Sequence, residues 1–460
     1  MSTDGALREE MLHALRDNLL PHWYPLVIDK KCGGYFTNIT YDWKLEPAQE
    51  KMIVSQARHV WTASKVAEYM GLDDYCTMAD HGFRFLRDVM WDKQYGGFYQ
   101  IRSREGGASE VNGWRDEKRT YGNAFAVYSM AALFGLTRNP EVLAEARKAF
   151  TWIEERTYDP VHKGYYQFIT REGNPFDRSS TYKSIASDAN EVGYKDQNSS
   201  IHLLEAYTEL LSVWDNPKLR EQLAMLLTLI RDTMTDQRGF LQLFFQDDWS
   251  PLSFRDASEE VRKANFGLDH ISFGHDYETA FLMLEASHVL GIKDDVRTLT
   301  MAKKMLDHAL ANGWDRDKGG FYDGGYYCKG ETHCTIVKDT KNWWAQAEGL
   351  NALLLFSRIF PQGGYRPYFD KQWEYVKQYI LDPNHGDWFE GGIDKEPHFK
   401  TGPKSHMWKC TYHTGRALMN CAVMLSETIP SGAGEGYTKK HNEFMQFVEH
   451  WKKVAHAGIA

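Results

Sequence analysis

The chain has 460 residues, 42% hydrophobic and 25% charged, which is the make-up of a globular protein with a large core. A net charge of −9 with no long basic run excludes a nucleic-acid surface, and no apolar run approaches the roughly 18 residues of a membrane span. The aromatic share, 14%, fits either dense aromatic packing or a pocket that stacks on sugar rings.

The first twenty residues, "MSTDGALREEMLHALRDNLL", mix acidic and basic groups with an apolar face and predict an amphipathic helix rather than a signal peptide. A short turn then recurs six times: "IDKKCGGYFT", "WDKQYGGFYQ", "YDPVHKGYYQ", "TDQRGFLQLF", "WDRDKGGFYD" and "LDPNHGDWFE". Its aspartates are Asp29, Asp92, Asp159, Asp236, Asp315 and Asp382, spaced 63 to 79 residues apart. Between the turns lie helical segments such as "SKVAEYMGL", "AEARKAFTWIEERTY", "REQLAMLLTLIRDTMT" and "RTLTMAKKMLDHALANGW". In "IHLLEAYTELLSVW" the apolar residues Leu203, Leu204, Tyr207, Leu210, Leu211 and Trp214 fall on one face. Each interval holds about two helices, so each turn reads as a short β-hairpin between helices. Six helix pairs with no strand-rich region predict an all-α, closed (α/α)6 barrel occupying residues 1–460 as one domain. Polar capping repeats would mark an open solenoid instead.

Residues suited to chemistry stand near the starts of the presumed inner helices. They are Arg58 in "SQARHVW", Tyr121 in "RTYGNAF", and Asn198, His202 and Glu205 in "NSSIHLLEAY". His275 and Glu278 follow in "SFGHDYETAF", then Trp343, Trp344, Gln346 and Glu348 in "NWWAQAEGL", and Trp408, His413 and Arg416 in "MWKCTYHTGRAL". Two H-x-x-E pairs, His202/Glu205 and His275/Glu278, place a carboxylate on the face of its imidazole, where it can orient the ring. Polar groups opening an apolar core helix are costly unless they have partners, which points to a built site.

The six cysteines include no zinc-ligand spacing, and "CKGETHC" is not one; no H-E-x-x-H is present. G-x-S-x-G, P-loop and dinucleotide fingerprints are also missing, so neither metal nor cofactor is expected. The cysteines are expected to be reduced thiols of a cytoplasmic protein. A glycoside hydrolase using Glu205, Glu278 or Glu348 as its carboxylate pair stays open, although each lies a turn inside its helix, a position suited to orienting. Histidine, with an ordinary pKa of about 6.5, suits proton removal on one side of a carbon and delivery on the other.

The runs "SQARHVWTAS", "RTYGNAFAVY", "DQNSSIHLLEAYTELLSVW", "ISFGHDYETAF", "NWWAQAEGL" and "WKCTYHTGRA" together resemble the N-acylglucosamine 2-epimerase superfamily, especially its cellobiose and mannose 2-epimerase members. The resemblance implies an (α/α)6 barrel, His275 and His413 as paired acid/base groups, and His202 as an aid to ring opening. It further implies Arg58, Tyr121 and Asn198 as ligands of sugar hydroxyls and the enediolate, Glu278 and Glu348 as orienting carboxylates, and Trp344 and Trp408 as stacking aromatics.

Two departures bear on substrate. Thr411 stands where cellobiose epimerases generally carry Pro, and a long polar stretch, from Gln246 to Asp276, precedes and includes His275. With the polar loops 103–119 and 171–197, this stretch is expected to fold over the barrel mouth and shorten the pocket. The expectation is therefore epimerisation of D-mannose and D-glucose through a cis-enediolate, in a cytoplasmic monomer or homodimer with no nucleic-acid or membrane partner. The alternatives are epimerisation of the reducing-end glucose of cellobiose, aldose–ketose isomerisation to fructose, and a non-catalytic sugar-binding toroid.

Overall fold

Two kinds of helix alternate along the chain, and their composition decides which side of the molecule each occupies. The computed structural model describes residues 3–109, 116–179, 191–429 and 433–458. Helix α1 (Thr3–His13) runs through a wide turn, Ala14–Leu19, into α2 (Leu20–Leu26). Three pairs follow: α3 (Ile53–Met70) with α4 (Asp73–Phe85), α5 (Thr120–Thr137) with α6 (Pro140–Arg156), and α7 (Gln197–Val213) with α8 (Pro217–Leu229). Two short helices, α9 (Glu259–Ala264) and α10 (Phe266–Asp269), interrupt the pattern before α11 (Phe273–Val289) and α12 (Val296–Asn312). Then come α13 (Trp343–Ile359), α14 (Tyr365–Tyr379), α15 (Tyr412–Met424) and α16 (Glu435–Gly458).

Helices α3, α5, α7, α11, α13 and α15 are buried nearly all round, as helices inside a larger core must be. Each packs on the next, and α15 returns to α3, so the ring is closed. The outer helices are amphipathic: α12 buries Leu299, Ala302, Met305 and Leu306, and turns its charged residues outward. The expected (α/α)6 barrel is therefore the observed fold. α16 was not foreseen as a separate element. It lies across the C-terminal ends of the inner helices, with Tyr437 on Tyr69 and Phe447 on His288, at centroid distances of 4.9 and 5.2 Å. Among the described residues, no helix is long and apolar enough to cross a membrane.

All six turns close as hairpins, through the bridges Ile28–Tyr35, Trp91–Phe98, Tyr158–Tyr165, Thr235–Leu241, Trp314–Phe321 and Leu381–Trp388. Short strands continue the rim. β1 (Lys51–Met52) pairs antiparallel with β2 (Ile101–Arg102), and β3 (Lys118–Arg119) with β4 (Phe168–Ile169). β5 (Lys195–Asp196) pairs with β6 (Phe244–Phe245), and β7 (Ile271–Ser272) with β8 (Gly324–Tyr326), which β9 (Thr335–Lys338) extends. Strands β1, β3, β5 and β7 each lead directly into an inner helix, so the rim fixes where those helices begin.

The recurring aspartate has a physical reason. In Asp92 one carboxylate oxygen accepts from the backbone of Gln94 and Tyr95, at 2.9 and 3.3 Å, while the other accepts from the buried Lys118 ammonium at 2.9 Å. The same device joins Lys51 to Asp29, Lys195 to Asp159, Lys341 to Asp315 and Lys404 to Asp382, at 2.9, 2.6, 2.7 and 2.7 Å. Each lysine also donates to a backbone carbonyl of its hairpin, Gly96 for Lys118 and Gly386 for Lys404. In four of the five the lysine stands two residues ahead of an inner helix, so the pair ties turn to helix start. The fourth repeat differs: Ile271 occupies the lysine position and Asp236 pairs with the more exposed Arg238. The α9–α10 excursion is inserted there.

A second clamp uses the fourth residue of four inner helices. Gln56, Asn123 and Gln346 accept from the backbone N–H of Tyr35, Phe98 and Phe321 and donate back to the same residues' carbonyls. Asp276 takes this place in α11, accepting from Leu241 at 2.8 Å. Burial pushes its carboxyl well above the ordinary 3.8, which favours the protonated acid in an amide's position.

Removing one partner of a buried pair leaves an uncompensated charge. Lys404→Met is expected to lower unfolding stability by about 3–5 kcal/mol in urea denaturation. Asp236→Asn, which breaks a more exposed pair, should cost less than about 1 kcal/mol. Asp276 binds a proton more tightly folded than unfolded, so its ionisation works against folding increasingly as pH rises above about 4. Asp276→Asn should therefore raise Tm at pH 7, with a margin over the unsubstituted chain that shrinks towards pH 4 in a thermal scan.

Candidate active site

The inner helices bring their first turns to one end of the barrel, where nearly all of the polar residues singled out in the sequence meet. Arg58 on α3 lies over the rings of Phe125 and Tyr412, at 4.4 and 4.9 Å, and donates to Tyr121 Oη at 3.0 Å and the Trp408 carbonyl at 3.4 Å. Tyr121 on α5 meets His202 of α7 edge-on at 5.1 Å. Trp408 is 38% exposed, beside Tyr121 at 6.2 Å. Trp344 on α13 contacts both His275 and His413, with centroid distances of 4.8 and 5.7 Å. One indole thus holds the two imidazoles within reach of a single small molecule.

Below this layer sits Arg416, 3% exposed, with carboxylates from three other helices around it. Its guanidinium donates to Glu205 of α7, to Glu278 of α11 at 2.5 Å, and pairs with Glu348 of α13 at 2.8 Å. Tyr412 donates to Glu205 at 2.7 Å and completes the ring. Burial alone would raise Glu205, but Arg416 and His202 outweigh it and hold the carboxyl at about 2. Burial raises Glu348, opposed only in part by Arg416 and reinforced by Glu278. Glu278, Glu348 and His413 bring ligand atoms within 4.8 Å of one another, a spacing a cation would suit. The Arg416 guanidinium supplies that cation. The three glutamates of a hydrolase reading all face this one arginine, which leaves none of them free of a partner.

The H-x-x-E expectation holds for one pair and fails for the other. His202 Nδ1 lies 2.8 Å from Glu205 Oε2. His275 does not bond Glu278, which is committed to Arg416; its Nδ1 lies 2.8 Å from Ser272 Oγ. His413, for which the sequence offered no partner, has its Nδ1 2.7 Å from Glu348 Oε1. Burial lowers His275 to about 3, helped by His202 and His270, and holds His413 well below its ordinary 6.5, helped by Arg58 and Arg416. Burial thus disfavours the charged form of both imidazoles. Ser272, Tyr412 and the unifying place of Arg416 are what residue spacing did not reveal.

Several buried polar atoms here have no hydrogen-bond partner among the described residues: Arg58 Nε, Asn198 Oδ1, Glu278 Oε2 and Glu348 Oε2. Such groups are rare in native structures and fit a ligand rich in hydroxyls. The α9–α10 excursion is packed rather than loose. Asp269 accepts from Phe254 N–H at 2.6 Å and Tyr326 Oη at 2.8 Å, and Leu268 joins Leu243 and Phe244 in a small apolar cluster. Within the other two polar loops, 110–115 and 180–190 lie outside the described residues.

Residues 34–417 match the family model for N-acylglucosamine 2-epimerase (GlcNAc 2-epimerase). A cellobiose 2-epimerase of Bacteroides fragilis is 30% identical over 430 residues, covering 92% of this chain and 100% of that protein. A D-mannose isomerase of Marinomonas mediterranea is 25% identical over 413 residues, 88% of this chain and 94% of its own. The solved cellobiose 2-epimerase from Bacillus thermoamylovorans superposes with a TM-score of 0.78 at 25% identity, covering 91% of this chain and 99% of that one. The chain belongs to the N-acylglucosamine 2-epimerase family, carbohydrate epimerases of the isomerase class.

Proposed function

We propose that the chain inverts C2 of D-mannose and D-glucose by proton transfer between two histidines. The observation that carries this reading is the His275–Trp344–His413 arrangement, two imidazoles sharing one stacking surface. The open-chain aldehyde makes the C2 proton acidic. One imidazole takes it, leaving a cis-enediolate whose negative charge the buried Arg58 guanidinium stabilises, with Tyr121 and Asn198 as further hydroxyl ligands. Rotation about C2–C3 presents the other face to the second imidazole, which returns a proton. His202, oriented by Glu205, assists ring opening. Glu348 orients His413, while Glu278 acts through Arg416 rather than on His275. No step calls for a metal or a redox cofactor.

The packed α9–α10 wall beside β7 supports a short pocket and hence a monosaccharide. A specific observation favours a second reading: Trp408, exposed at the mouth, offers a surface for a second sugar, as epimerisation of cellobiose would require.

Proton NMR in D₂O, with mannose, cellobiose and fructose supplied separately, decides among the substrates. Glucose formed from mannose with deuterium at C2, and cellobiose left unchanged, is the expected result. Conversion of cellobiose to glucosylmannose with mannose untouched would transfer the assignment to the disaccharide, and fructose as the main product would make the chain an isomerase of the aldose–ketose type. His413→Asn and His275→Asn should each lower kcat by about 10²–10⁴-fold. Sugar binding, followed by calorimetry, should survive in both variants.

A further inference from the structure

Resting on the epimerase reading, we infer that Ser272 is a positioning residue for His275, and that Ser272 and Glu348 give the two facing imidazoles unequal partners. Ser272 is the residue that precedes α11, where a serine ordinarily caps the helix by accepting from a first-turn N–H. Here its side chain makes no capping bond. The hydroxyl instead lies 2.8 Å from His275 Nδ1. Its backbone is held by β7, in which Ser272 pairs with Gly324, so the hydroxyl is presented from a fixed strand. Ser272 is 7% exposed; of the carboxylates that flank His275 in α11, Asp276 accepts from the Leu241 backbone and Glu278 is engaged by Arg416.

The proton balance follows from these bonds. His413, with Nδ1–H on Glu348, receives the C2 proton at Nε2, and the electron pair of the C–H bond passes into the enediolate. Beside the enediolate charge His275 takes a proton from solvent at Nε2, donates Nδ1–H to Ser272 Oγ and delivers the Nε2 proton to the opposite face of C2, while His413 releases the proton it took to solvent. The enediolate electron pair forms the new C–H bond as the C1 carbonyl is restored. From the other epimer the two imidazoles exchange roles, and Nε2 remains the working nitrogen of His275. Among the described residues the hydroxyl is the hydrogen-bond partner of His275 Nδ1, so its loss removes the group that keeps Nδ1 protonated and Nε2 aimed at carbon.

The test compares the full chain with Ser272→Ala and Ser272→Thr in D₂O, starting from each epimer in turn and following both inversion and deuterium at C2. In Ser272→Ala, kcat should fall about 10-fold at unchanged KM, a part of the roughly 10²–10⁴-fold that a positioned acid–base group contributes. For the epimer whose proton His413 removes, deuterium should enter C2 faster than inversion occurs, because delivery from His275 has become slow. For the other epimer, exchange and inversion should fall together. Ser272→Thr, which keeps the hydroxyl, should restore the original ratio. A folded Ser272→Ala variant with the original ratio from both epimers overturns the inference, as does a Thr variant that behaves like Ala. Absence of C2 exchange in the unsubstituted chain would instead overturn the epimerase reading itself.

Discussion

One buried guanidinium organises the end of the barrel where the candidate site lies. Arg416 receives Glu205, Glu278 and Glu348 from three different inner helices, in a place where three unpaired carboxylates would oppose folding strongly. The arrangement is more than charge neutralisation. Glu205 and Glu348 each have an imidazole as second partner, so the arginine fixes the azimuth of His202 and His413 through the carboxylates that hold them. His275 stands outside this network and relies on a neutral hydroxyl. The two facing histidines are thus built into the fold by different means, although they meet the same indole.

That cluster can form only if six helices begin at the right height, and the rim provides this. The buried Lys–Asp pairs tie hairpins to helix starts, and the fourth-residue clamps join inner helices to the hairpin backbone. The repeat that lacks the lysine is the one that carries His275 and the α9–α10 excursion. With Ile271 in place of the ammonium, β7 lacks that tie and is paired with β8, beside a wall built from Asp269, Tyr326 and Leu268.

Much of this was legible in the chain. The six aspartate turns, with about two helices between them, marked the architecture, because a repeated backbone device leaves a repeated residue pattern. The candidate polar residues converge because each stands at an inner-helix start, a fact readable from periodicity. What the sequence hid was pairing across the ring. Glu348 and His413 lie 65 residues apart, and Arg416 and Glu205 are separated by 211, distances that no local spacing rule reaches. The H-x-x-E at His275 misled for the same reason, since a stronger partner from α15 captured Glu278. Ser272 was hidden in plain view, its position suggesting a helix cap that the side chain does not make. The lysines escaped notice because a buried ammonium looks, in a sequence, like any exposed one.

The central claim is that the two imidazoles address opposite faces of one carbon. A crystal structure with an open-chain sugar alcohol, which has the substrate's hydroxyls but no aldehyde, tests it most directly. The account predicts C2 between His275 Nε2 and His413 Nε2, each about 3–3.5 Å away, with the chain lying on Trp344 and an oxygen on Arg58. A sugar bound with C2 distant from either nitrogen, or with both imidazoles on one face, would contradict it.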